Sequence, residues 1–167
     1  MRRTVLFIFL YLLHIGLSDA GDVYQQPDEF VKEAFGEQPK AQVIWLDKTL
    51  RQAIEDILQH PYHGHRIRYW QHGDRTLWIL DEIGKTKPIT TGIIINKHQI
   101  ERIKVLVFRE SRGWEVKHAF FTNQFKQASL NGDHNLDRNI DGISGATLSV
   151  RALTRLARVA LLLDQHV

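Results

Sequence analysis

Ile89-Thr90-Thr91-Gly92-Ile93-Ile94-Ile95-Asn96, followed after Lys97-His98 by Gln99-Ile100-Glu101-Arg102-Ile103-Lys104-Val105-Leu106-Val107-Phe108, is the stretch whose reading decides the fold. Isoleucine and valine dominate both halves, as strands prefer. Asn96-Lys97-His98 is the turn between them, so the stretch predicts a β-hairpin. Gly92 marks either a bulge or a close backbone approach. Upstream, Arg66 to Gln71 and Arg75 to Leu80 read as two more strands, joined at His72-Gly73-Asp74. Ile67 and Tyr69 share one face there and Trp70 takes the other, while Leu77 and Ile79 oppose Trp78 and Leu80. Lys85 to Pro88 breaks the two hairpins apart. With helical patterns at both ends of the chain, the expected fold is α+β: an antiparallel sheet of about four or more strands packed with N-terminal and C-terminal helices.

The helices are read from period and punctuation. Gly21 to Pro27 is a flexible lead. Pro27 to Phe35 has proline at its start, Asp28 and Glu29 in its first turn and Gly36 as its stop, with Phe30 and Phe35 to dock it. Glu37 to Lys40 is a linker. Asp47 to Gln59 places Leu50, Ile54, Ile57 and Leu58 at i, i+4, i+7 and i+8 behind a candidate Asp47 cap, and His60-Pro61 ends it. Lys117 to Gln127 predicts a short helix anchored by Phe120, Phe121 and Phe125. A last helix carries Leu148, Ala152, Leu156, Val159 and Leu163 on one stripe. Arg151, Arg155 and Arg158 form another stripe, read as a solvated face or a contact for an anionic partner.

In front of that helix stands Asp141-Gly142-Ile143-Ser144-Gly145-Ala146-Thr147. A helix N-terminus offers unpaired N–H groups and the positive end of the helix dipole, which suits an anion, above all a phosphate. Gly142 and Gly145 let a ligand approach the main chain. The same residues also read as a turn and a cap, with Ser144 or Thr147 capping the helix.

The motif resembles the flavinylation motif of the FMN-binding domain family: an acid, two variable residues, Ser or Thr, then Gly-Ala-Thr. That family includes the C subunit of the sodium-pumping NADH:quinone oxidoreductase and the G subunit of the related Rnf complex. The resemblance implies covalent FMN, held as a phosphoester on Thr147. It implies an FAD-dependent flavin transferase as maturation partner, acting outside the cytoplasm with a divalent metal and recognising Asp141, Ser144, Gly145 and Ala146. Backbone donors from Ser144 to Leu148 would hold the phosphate, with Gly142 in the same turn. Arg109-Glu110-Ser111-Arg112-Gly113-Trp114-Glu115 is similar to a second family segment, an acid-threonine-proline-glycine run near the flavin ring. Glu110 and Gly113 match it, Ser111 stands for threonine, and Arg112 departs from proline. Glu110, Arg112, Gly113 and Trp114 are therefore candidates to line the ring. A solvated turn with a half-buried Trp114 is the other reading of that segment.

Composition sets the surroundings of this reading. The chain has 167 residues, enough for one core and short for two, and its net charge of +3 is spread without a nucleic-acid motif. Without cysteine it has no disulfides and no thiolate-ligated clusters. Arg2 and Arg3, the apolar run Val5 to Leu17 and the small residues of Ser18-Asp19-Ala20 read as a secretory signal peptide. An uncleaved anchor is the alternative. The expected organisation is a signal peptide over 1–20, an N-terminal helical segment over 21–65 and an FMN-binding domain over 66–167. His60, His63 and His65 invite a metal-site reading, against that of a polar loop. The loop with Asp133, His134 and Asp137 lacks the glycine and closing glutamate of a calcium loop. No catalytic dyad is visible. The expectation is an exported, periplasmic or membrane-associated electron-transfer module with membrane-bound redox partners. The alternatives are a non-redox binding module and a histidine-dependent metal-binding protein.

Overall fold

The computed structural model describes residues 21–36 and 39–167. The expected signal peptide lies outside the described residues. The chain folds as an α+β domain around one six-stranded sheet in which every pairing is antiparallel. The strands are β1 (Asp22–Val23), β2 (Gln42–Trp45), β3 (Arg66–His72), β4 (Arg75–Ile83), β5 (Pro88–Asn96) and β6 (Gln99–Phe108), in spatial order β1-β6-β5-β4-β3-β2. The four expected strands form its centre, and two short ones from the N-terminal segment close its edges.

The central hairpins follow from their side chains. β4 and β5 pair without interruption from Arg75↔Asn96 to Ile83↔Pro88. The β3–β4 turn is only Gly73-Asp74, and Gly73 takes the positive φ (58°) that such a turn needs. Gly92 turns out to be a close approach. A Cβ there would lie 2.4 Å from the Phe30 ring, while the register shifts of β5 and β6 fall elsewhere, at Thr90/Thr91 and Ile94/Ile95.

Two layers of helix cover the sheet. Helix α1 (Pro27–Phe35) seats Phe30, Val31 and Ala34 against Trp70, Leu77, Ile94 and Leu106 on one face. On the other face, α2 (Lys48–Leu58) buries Leu50, Ile54, Ile57 and Leu58, with the Asp47 carboxylate accepting from the Leu50 N–H at 2.7 Å. The last helix, α4 (Thr147–Asp164), packs beside it with Leu153, Ala157 and Ala160 fully buried. Truncating one such leucine to alanine costs about 2–5 kcal/mol, so this face holds most of the fold's packing energy.

Four expectations are corrected. Lys117 to Gln127 is not one helix. A 3-10 turn (Trp114–Lys117), α3 (Ala119–Thr122) and a second 3-10 turn (Asn123–Phe125) replace it, broken at His118 by extended backbone (ψ 151°). Phe121 and Phe125 are core anchors at 0% exposure, but Phe120, a helical step away, points outward at 63%. Leu148 also leaves the core stripe, 37% exposed at the helix start. The arginine stripe is a solvated face only at Arg151. Arg155 lies 3.5 Å from buried Glu82, and the Arg158 Nε donates to the His134 carbonyl at 2.6 Å. β1 falls in what reads as a flexible lead.

Candidate functional site

The first turn of α4 is open. Ala146 occupies the position before the helix, and no side chain caps it. The capping reading of Ser144 or Thr147 is thereby overturned, and the first N–H groups of an 18-residue helix are left for another acceptor. Gly145 takes φ +82° in the tight turn that starts the helix, with the Ala146 N–H donating to the Ile143 carbonyl at 3.0 Å. The Asp141 N–H donates to the Gln124 side chain at 2.7 Å, which fixes the beginning of the motif.

A cleft of about 330 Å³ opens at this helix end. Gly145, Ala146, Thr147, Leu148 and Ser149 form one wall. Glu110, Ser111 and Arg112, leaving β6, form another, and Lys85 from the β4–β5 loop completes it. The structure thus brings together two segments that lie more than thirty positions apart in sequence. Asp141, Gly142 and Ser144 lie on the exposed turn outside the cleft lining. Gly113 and Trp114 also lie outside it. Gly113, at φ +86°, presses on the helix start, since a Cβ there would meet the Ser149 Oγ at 2.4 Å. Trp114 is 45% exposed and leans on His118.

Glu110 has a definite task. Its Oε1 accepts from three successive backbone N–H groups, Lys85 at 2.5 Å, Thr86 at 2.6 Å and Lys87 at 2.8 Å. Burial pushes its carboxyl up, but those N–H groups, with the Thr86 hydroxyl, outweigh it and hold the group below the ordinary glutamate value. The one carboxylate of the cleft is therefore occupied in shaping the β4–β5 loop. Lys85 and Arg112, both exposed, supply positive charge beside the open helix end. Lys85, read from sequence only as part of a break, and Ser149 are not among the expected site residues. Their only signal is Gly84-Lys85-Thr86-Lys87, a basic turn whose partner Glu110 is 25 positions away.

The histidine cluster is divided. His60 Nε2 lies 3.0 Å from Glu82, and His65 Nδ1 lies 3.0 Å from Arg51. Among the described residues, no three His, Cys, Asp or Glu side chains are grouped to hold a metal.

An α+β domain that offers an uncapped helix N-terminus, two cations and an accessible threonine hydroxyl in one cleft has the chemistry to hold an anion. Residues 84–162 match the FMN-binding domain family. The matched segment begins at the Lys85 turn, takes in Glu110 to Arg112 and the motif, and ends within α4. The chain carries a flavin-binding module. No curated protein matches it.

Proposed function

We propose that this protein is an exported flavoprotein that holds FMN covalently on Thr147 and passes electrons in a membrane-associated redox chain. One observation carries the reading. Thr147 is the first residue of α4, its side chain is exposed, and it lines the cleft that also holds Lys85 and Arg112. The residues fit the group: open N–H donors and two cations suit a phosphate, and a cleft of about 330 Å³ falls in the range of small-molecule sites.

In maturation, Thr147 Oγ1 displaces AMP from FAD under an FAD-dependent transferase. The Oγ1–P bond forms, the pyrophosphate P–O bond breaks, and the hydroxyl proton leaves with AMP. The open N–H groups of the α4 first turn would hold the phosphate and Lys85 and Arg112 would offset its charge, while Glu110 keeps the Lys85 turn in place. FMN supplies reversible redox chemistry, while the protein supplies attachment, orientation and field. Attachment outside the cytoplasm prevents loss by dilution, and the N-terminal signal pattern supports that location.

The test is intact-mass measurement of the exported chain co-expressed with a flavin transferase. The expected result is a gain of one FMN less one water and a yellow colour that survives denaturation. Thr147→Ala should show neither. An unmodified wild-type chain under these conditions sinks the proposal.

A further inference from the structure

An exposed row of rings follows the segment that leaves the cleft. Trp114 is 45% exposed and Phe120 is 63% exposed. His118 lies between them, its ring centroid 5.4 Å from Trp114 and 6.1 Å from Phe120. Their neighbours Val116, Phe121 and Phe125 fill the core, so the outward rings are not needed there. Exposed apolar surface of this kind marks an interaction site.

Positive charge lies along the same segment, with Lys117 against the Trp114 ring. A groove of about 270 Å³ between β6 and the 114–125 segment is lined by Arg102, Lys104, Lys117 and Lys126. Lys117 Nζ lies 5.0 Å from the Trp114 centroid and 4.1 Å from that of Tyr24. Glu33, the acid nearest Arg102, is occupied by it at 2.6 Å. Glu115, within the first 3-10 turn, is the other acid on this segment. Among the described residues, Lys117 and Lys126 make no ion pair, and Lys104 shares the field of Glu33 with Arg102.

We propose that this face rests on an anionic lipid surface, with Trp114 and Phe120 entering the headgroup layer and the three lysines facing lipid phosphates. Aromatic rings favour the membrane–water interface, and basic side chains are drawn to anionic leaflets. Phe120 decides for lipid over an acidic protein. It has no polar atom and protrudes, and an acyl layer accepts it without a matching pocket. Gly113 joins the row to the start of α4, and Leu148, 37% exposed, lines the cleft beside it. Docking therefore holds the cleft at the bilayer, in reach of membrane-bound redox partners. That consequence rests on the flavin reading; the lipid contact does not.

The test uses the full chain expressed without a flavin transferase, so that no flavin quenches the indoles. Because the apolar run Val5 to Leu17 can carry the chain onto any bilayer, the readout is local. It is the fluorescence of Trp114, taken as the difference from Trp114→Phe, in vesicles with brominated acyl chains. Quenching is expected in phosphatidylcholine–phosphatidylglycerol vesicles and not in phosphatidylcholine alone. Lys126→Ala should weaken the Trp114 signal about fivefold at limiting lipid, the effect of one basic side chain near an anionic surface. Phe120→Ser should weaken it further. An unquenched Trp114 on vesicle-bound chain overturns the proposal, as does equal quenching on neutral lipid or an unchanged signal in Phe120→Ser. A response to polyglutamate but not to vesicles assigns the face to an acidic protein and overturns it equally.

Discussion

The two ends of α4 are built on opposite plans. At its C-terminal end Asp164 is buried, 4% exposed, and fully engaged. The Thr76 hydroxyl donates to one of its oxygens, His98 Nδ1 lies 2.7 Å from the other, and the Trp78 indole N–H donates to Thr76 at 3.0 Å. At its N-terminal end no side chain caps the helix, and Thr147 is exposed. The helix dipole favours a cation at the first of these ends and an anion at the second. The protein does the reverse within the helix itself: the carboxylate sits at the C-terminus, and the first turn carries no acid. One end is therefore held by local hydrogen bonds, and the other is left for an anion brought from outside.

That contrast is broken most directly at Asp164. Asp164→Ala leaves the buried Thr76 hydroxyl without its acceptor, while water can replace the partner of the exposed His98 ring, and should cost about 2–3 kcal/mol in urea unfolding followed by circular dichroism. A loss below about 1 kcal/mol means the C-terminal cluster is ornamental. Gly113→Ala comes next, at about 2 kcal/mol, because it adds a Cβ 2.4 Å from the Ser149 Oγ at φ +86°. Gly132→Ala, where a Cβ would meet nothing within 4 Å, is the matched control and should be near neutral.

Glu110→Gln should cost about 1 kcal/mol, since an amide oxygen accepts the three loop N–H groups less well than a carboxylate. Its pH signature sharpens the assignment. A carboxyl held below its ordinary value contributes stability that is present above that value and lost as pH falls through the lowered one. Acid unfolding curves of wild type and Glu110→Gln should therefore converge at low pH and separate toward neutrality. Curves that stay parallel remove Glu110 from the loop's charge balance. Thr147→Ala closes the series, with a stability change within about 0.5 kcal/mol, because the hydroxyl makes no bond that holds the helix end. A larger loss would give Thr147 a structural role.

The sheet centre and both N-terminal helices are legible in sequence because their signals are local. Period two in Ile89 to Phe108, proline and glycine around α1, and Asp47 before α2 each lie within a few residues of what they determine. The edge strands are not legible. β1 has two residues and β2 four, too short for a period, and each exists only through a distant partner, as in Asp22↔Phe108 and Ile44↔Ile67. The site divides along the same line. The motif at the α4 start is contiguous and readable, whereas the bond from Lys85 to Glu110 spans 25 positions and leaves no pattern. Phe120 misleads because composition tells apart neither Phe120 from Phe121 nor the outward from the inward turn of a broken helix.

The β4–β5 ladder has a consequence for where this domain can be cut. The segment that matches the family begins at Gly84, and β4 ends at Ile83. All nine residues of β5 are paired to a strand outside the matched segment. A fragment trimmed at Gly84 would keep the flavin motif whole and bare a long apolar strand edge, the surface on which chains zip together into insoluble aggregates. The matched segment and the unit that folds are thus offset here by four of the six strands.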